Sequence, residues 1–249
     1  METHAHELHK APGHGWTHYL FEFFMLFLAV FCGFLAENFR EHREERHRER
    51  EYVKSLAADL RADTADIHSF LRNSLITTRR IDTMIRLLQS PDRDTLSQIL
   101  YFDARTITSL TPRFLLHDRT YEQMKSSGSL RLIMQEALAR SVSVYYAAQT
   151  SFKEQAEIQI NRQLEYANAV TDVFDATVFQ QMLKAHPMHI VMPEGHPKLI
   201  TNDPSKFNAY IGKLHYFGAV LLVNSSSAAE QEEATIQLLK QIEQYYHFK

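Results

Sequence analysis

Few residues of this chain are placed, by type and spacing, to do chemistry. Glu22 is the only charged residue in the apolar run 19–36 (YLFEFFMLFLAVFCGFLA). A carboxylate inside a membrane-crossing run is a functional candidate, because its charge is costly in hydrocarbon. Two readings compete for it. One turn inside the start of the run, it reaches headgroup water or complements the helix N-terminus. In an assembly of helices it instead lines an ion or proton path, or bonds a neighbouring helix.

The second group is His186, His189, Glu194 and His196, whose donors suit zinc or another divalent ion. Compact zinc signatures hold two histidines on one helical turn with a third ligand elsewhere. The 185–203 segment, with Pro187, Pro193, Pro197 and Gly195, reads as a proline-rich loop and matches none of them, which favours surface histidines. His4, His6, His9 and His14 lie in a polar tail, 1–18, that offers no fixed scaffold for a metal and reads as flexible. The sequence holds no glycine-rich phosphate loop, nucleophile elbow or paired metal motif. The expectation is a non-enzymatic protein without a cofactor.

The elements that must position these groups are helical. Seven Gly and seven Pro in 249 residues favour long helices over a many-turned β-fold. A net charge of −3 provides no basic field for nucleic acid, so that partner is not expected. The single cysteine, Cys32, excludes an intramolecular disulfide. The length suits one sizeable domain on an anchor.

Run 19–36 is near the length a helix needs to span a bilayer, and no signal-peptide cleavage pattern accompanies it. It reads as a transmembrane helix, with the buried helix of a soluble protein as the rival reading. Ala29, Gly33 and Ala36 share a face with Glu22 and would let two such helices approach closely, predicting a homo-oligomer. The run 37–51 pairs Glu37 with Arg40, Glu44 with Arg48 and Glu45 with Arg48 at helical spacing, and reads as a charged helical stalk. Its first cations, Arg40, Arg43 and Arg46, are candidates for acidic lipid headgroups. With no Gly or Pro between positions 34 and 90, anchor and stalk should form one helix, with a break at Asn73–Ser74 as the alternative.

The soluble domain is expected at 52–249. Leu56, Leu60, Ile67, Leu71, Leu75, Ile81, Ile85 and Leu88 mark its first core-facing helix. A short-helix insert follows at 90–129, capped first by Asp94 or Thr95 and then by a Thr120/Gln123 capping box. A long helix is predicted from Leu130 through Leu164 to Phe179, ending at His186–Pro187. Asn202 or Asp203 before Pro204 starts a helix to Asn224, Ser225–Ser227 breaks it, and a last helix buries Ile236, Leu239, Ile242 and Tyr245. The fold class is all-α: a transmembrane helix, a stalk and an antiparallel helical bundle.

Three stretches carry a resemblance. They are Glu22 with the closing ENFRE of 37–41, EYVKSL with DL across 51–60, and TYEQMKSSGSLRLI at 120–133. Together they resemble a family of bacterial single-pass membrane proteins defined as a domain of unknown function. The resemblance implies one N-terminal membrane helix and an α-helical soluble domain, and it transfers no catalytic residue. Lys10 alone precedes the anchor, whereas Arg40, Arg43, Arg46, Arg48, Arg50 and Lys54 follow it. The positive-inside rule then puts the C-terminal domain in the cytoplasm, at the bacterial inner membrane. The expected function is a scaffold, partner-binding or signal-transmitting module with an unknown protein partner. An ion conduit using Glu22 and a metal protein using the 186–196 histidines are the alternatives.

Overall fold

The computed structural model describes residues 15–113, 116–185 and 188–247. Among them are α1 (Trp16–Leu88), α2 (Ser97–Ser109), α3 (Arg119–Ser126), a 3-10 turn (Ser129–Leu132), α4 (Glu136–Val170), α5 (Ala176–Met182) and α6 (Pro204–Tyr246). The only strands among these residues, β1 (Leu183–Ala185) and β2 (Met188–Ile190), pair antiparallel with Leu183 opposite Ile190. The protein is all-α. Its contacts divide it into two units, Met1–Arg50 and Glu51–Lys249.

The first unit is the N-terminal part of α1. Its apolar side chains, from Tyr19 to Leu35, are exposed all round, and the most apolar 18-residue window is 0% buried. Length and composition alone make it the one candidate membrane span among the described residues. Beyond it, Arg40 bonds Glu37 at 3.0 Å and Glu44 at 2.6 Å, and Arg48 lies 4.0 Å from Glu44. These pairs stabilise the helix locally without a core.

The second unit is organised by three long stretches of helix with one spacing. In α1 the buried stripe of this unit runs through 53, 56, 60, 63, 67, 70, 74, 77, 81, 84 and 88, with Ala57 buried beside it. In α6 it runs through 207, 210, 214, 217, 221, 224, 228, 231, 235, 238 and 242, with Gly218 buried beside it. Steps of three and four alternate throughout, the heptad rule by which helices pack knobs into holes. α4 follows it at 138, 142, 145, 149, 159, 166 and 170.

The apolar core falls into two large clusters. One joins Val53, Leu56 and Leu60 of α1 to Tyr121 and Met124 of α3, Leu138 and Val142 of α4, and Leu238 and Ile242 of α6. The other joins Ile81, Met84 and Leu88 of α1 to Leu100 and Tyr101 of α2, Tyr166 and Val170 of α4, and Phe207, Leu214 and Phe217 of α6. Within this unit α1 and α4 therefore run the same way and α6 the opposite way. α2 and α3 bring the chain back from one cluster to the other, so 90–129 is a return limb and not an insert.

Several expectations are corrected. α1 does not break at Asn73–Ser74, because Ser74 occupies a buried heptad position. α6 passes through Ser225–Ser227 unbroken; Ser225 Oγ donates to Leu221 O at 2.7 Å, and Asn224 and Ala228 are buried on either side. The helix expected to end at His186–Pro187 stops at Val170, where Asp172 and Val173 turn back onto Ala169 and Val170. Asp175 then caps α5 by accepting from Thr177 N. The hairpin β1–β2 occupies the start of the expected loop. Neither Asp94 nor Thr95 caps α2, which begins after Leu96, and the Thr120 capping box does not form; Thr120 N donates instead to Asp59 Oδ2 at 3.3 Å. The Asp203–Pro204 start does form, with Ser205 N donating to Asp203 Oδ1 at 2.8 Å.

The long helix also starts later than expected, at Glu136, after Gly128 turns the chain at φ 69° into the 3-10 turn. A side chain is strained there, so Gly128→Ala should lower the unfolding free energy by about 1 kcal/mol. Urea unfolding of the two proteins checks it, and an unchanged midpoint would refute the strain.

Candidate functional site

The residues singled out from the sequence stay apart. Glu22 is exposed, with His18 Nε2 one turn earlier at 3.8 Å. Ala29, Gly33 and Ala36 are exposed, and a Cβ added at Gly33 would meet nothing within 4 Å. His189 lies exposed on β2, and Glu194 and His196 are exposed beyond it; His186 lies outside the described residues, as do His4, His6, His9 and His14. Among the described residues no three His, Cys, Asp or Glu side chains gather where they could hold a metal ion. Of the stalk cations, Arg40 is bridged by Glu37 and Glu44. These contacts hold the Glu37 carboxyl below its usual range, its hydrogen bond with Arg40 first among the causes, and raise the Arg40 guanidinium.

What the fold does assemble is a polar middle between the two apolar clusters. Its members occupy heptad positions: Asp63, Ser74 and Thr77 in α1, Gln149 and Gln159 in α4, and Asn224, Gln231 and Thr235 in α6. Asp63 is fully buried. Its Oδ1 accepts from His117 N at 2.7 Å and faces His117 Nδ1 at 3.0 Å; its Oδ2 accepts from the Tyr145 hydroxyl at 2.9 Å. Thr235 Oγ1 lies 3.0 Å from the same hydroxyl and donates to Gln231 O at 2.7 Å. Burial pushes the Asp63 carboxyl above its ordinary value, against the hydrogen bonds from His117 and Tyr145 that favour the anion. Burial, with Asp63 behind it, raises the Tyr145 hydroxyl, which remains a hydrogen-bond donor near neutrality.

An aspartate against one nitrogen of a half-exposed histidine is the orienting half of many hydrolytic sites. Here it lacks the other half. Among the described residues no hydroxyl or thiol is hydrogen-bonded to His117 Nε2. The pair instead fastens the segment between α2 and α3 to α1, and the same segment is held to α4 by three further contacts. Gln159 Nε2 donates to Pro112 O at 2.7 Å, Lys153 bonds Asp118 at 2.6 Å, and the Tyr146 hydroxyl reaches His117 O at 3.4 Å.

Beneath that segment is a cavity of about 410 Å³, within the roughly 300–1,000 Å³ of small-molecule sites. Phe70, Leu116, Phe152, Ala156 and Ile160 form its apolar walls. Gln159 and Asn224 are buried and bonded to each other, Asn224 Nδ2 donating to Gln159 Oε1 at 2.8 Å. Arg113 and Lys153 are the exposed cations of the lining, and Asp118 is its only carboxylate. Asp118 holds the Lys153 ammonium above its usual range. α1, α4, α6 and residues between α2 and α3 each contribute to the lining.

None of these residues was singled out as a site from the sequence. The signal is nonetheless there: Gln149, Gln159, Asn224, Gln231 and Thr235 fall on the three-and-four spacing of the apolar stripe. A polar residue in a heptad stripe marks a layer where helices bond instead of merely packing. No family model, curated protein or solved structure matches the chain.

Proposed function

We propose that this is a single-pass, membrane-anchored helical protein of the bacterial inner membrane. Residues 19–36 cross the bilayer, 37–51 form the stalk, and the second unit is an antiparallel helical bundle that binds partners or transmits a signal without catalysis. One observation carries the reading. The apolar surface of 19–36 is exposed all round, so none of it serves a core of this chain, and such a surface needs lipid or protein cover. The helix bearing it runs on to Leu88, so the anchor and a core helix of the second unit are one element. A displacement of the anchor then has a covalent, hydrogen-bonded route into the bundle. The resemblance to single-pass membrane proteins of unknown function points the same way.

Alkaline extraction of bacterial membranes tests the anchor: the full chain should stay with the bilayer, whereas release into the supernatant would end the proposal. Protease treatment of spheroplasts tests the side. The cations after the anchor predict that the second unit is protected, and its digestion would reverse the orientation. Association through the face of Ala29, Gly33 and Ala36 predicts that Gly33→Leu shifts detergent-solubilised protein towards monomer.

For Glu22, His18 at 3.8 Å one turn nearer the helix start supports an interfacial role over a conduit. Conductance of reconstituted vesicles that fell on Glu22→Gln substitution would reverse that preference.

A further inference from the structure

We infer that the pocket where α2, the end of α4 and α5 meet binds a small monocarboxylate with an apolar body, held through Arg105. The inference goes beyond the membrane reading and does not depend on it.

Arg105 carries the argument. It lies in the second half of α2 and is the one charged residue lining a pocket of about 490 Å³, a size in the small-molecule range. Among the described residues Arg105 makes no hydrogen bond or ion pair, and its Nε is buried without a partner. A guanidinium whose inner nitrogen is set into the wall is held in place, and here all five of its donors are unspent.

The acceptors closest to hand are engaged elsewhere. Asp103, the nearest carboxylate in sequence, is bonded to Arg80, and two residues apart on a helix it does not share a face with Arg105. The carbonyls that end α4 are satisfied by the turn that follows. Ala169 O accepts from Asp172 N at 3.1 Å, and Val170 O accepts from Val173 N at 3.2 Å and Phe174 N at 2.9 Å. A charge-assisted bond from Arg105 therefore awaits an acceptor from outside the chain.

The rest of the lining selects the occupant's body. Val170 and Phe179 are buried, and with Ala167 and Ala176 they offer carbon. Thr171 and Gln180 are the exposed polar residues of the lining, and neither side chain is hydrogen-bonded among the described residues. The single cation sets the charge. A phosphate dianion is commonly held by several cations or by a row of backbone amides, whereas one planar fork matches the two oxygens of one carboxylate. An occupant would touch α2 through Arg105, the last turn of α4, and α5, and so tie the return limb to the turn after α4.

The test uses the full chain in phosphatidylcholine nanodiscs with 4-fluorobenzoate as probe, its binding read by fluorine NMR line broadening against empty nanodiscs. Saturable binding is expected, displaced by benzoate and not by benzamide or inorganic phosphate. Arg105→Gln should weaken it about tenfold. Ala176→Trp, at an exposed position of the lining, should block it. Circular dichroism establishes that each variant is folded. Broadening no greater than in empty nanodiscs, or binding unchanged in folded Arg105→Gln, overturns the site. Should the glutamine variant fail to fold, Ala176→Trp decides alone: unchanged binding overturns the assignment. Benzamide competing as well as benzoate overturns the anionic class, and phosphate competing as well as benzoate overturns the carboxylate.

Discussion

Asp63→Ala is expected to lower the unfolding free energy of the second unit by about 3 kcal/mol. The substitution leaves the His117 amide without its acceptor and the Tyr145 hydroxyl with Thr235 Oγ1 in place of a carboxylate, and losing the acceptor of a buried group costs about 1–3 kcal/mol. It also releases His117 from α1. Asp63→Asn keeps the shape and one acceptor oxygen, so its cost should be about 1 kcal/mol. Urea unfolding of the full chain in mild detergent, followed by helical circular dichroism, measures both. Equal, small effects of the two substitutions would show that the layer contributes nothing specific.

The same pair of proteins exposes the pH dependence. Burial raises the Asp63 carboxyl above its ordinary 3.8, so the folded state holds this proton more tightly than the unfolded chain does. The resulting stabilisation is fully present below the unfolded value and is lost as pH rises through the raised folded value. Wild type minus Asp63→Asn should therefore become more favourable on acidification across that window. Taking the difference removes groups that titrate equally in both proteins. The charges and titratable groups near Asp63 include His117 from the connecting segment, Tyr145 and Tyr146 from α4, and Asp66 on α1, which lies 3.9 Å from His117. A difference that moved the other way would mean that the hydrogen bonds from His117 and Tyr145, and not burial, control Asp63.

Ser226→Pro is expected to cost about 3 kcal/mol or more. Proline removes the amide that bonds one turn back and clashes with the preceding carbonyl. That penalty applies only if α6 is continuous at Ser226, as the structure has it. At a break between two helices, the reading the Ser225–Ser227 run invites, proline would be tolerated. Ser226→Ala at this exposed position should be neutral or slightly stabilising, which isolates the backbone effect. A proline variant within about 1 kcal/mol of wild type would mean two helices and not one.

How much was legible in the sequence can be argued from particular residues. The α1 helix was, because it depends on local terms: good helix formers, opposite charges at helical spacing, and no Gly or Pro for over fifty positions. The Asp203–Pro204 start was too, since a cap acts within three residues. The ends of other elements were not. Ser225–Ser227 looks like a break when read locally, and only the burial of Asn224 and Ala228 against other helices carries α6 through it.

The same reason displaced the inward faces. Leu75, Leu164, Ile236 and Tyr245 were expected in the core by their apolarity, and all four are exposed. The stripe instead passes through Gln231 and through Asp63, Gln159 and Thr235, and the last three are tolerable inside because partners from other segments meet them. Helix type and the apolar run at 19–36 follow from neighbours in the chain. The polar layer, the cavity and the return limb at 90–129 follow from which helix faces which, a choice made by packing between residues far apart in the chain, as Val53 and Ile242 of one core cluster are.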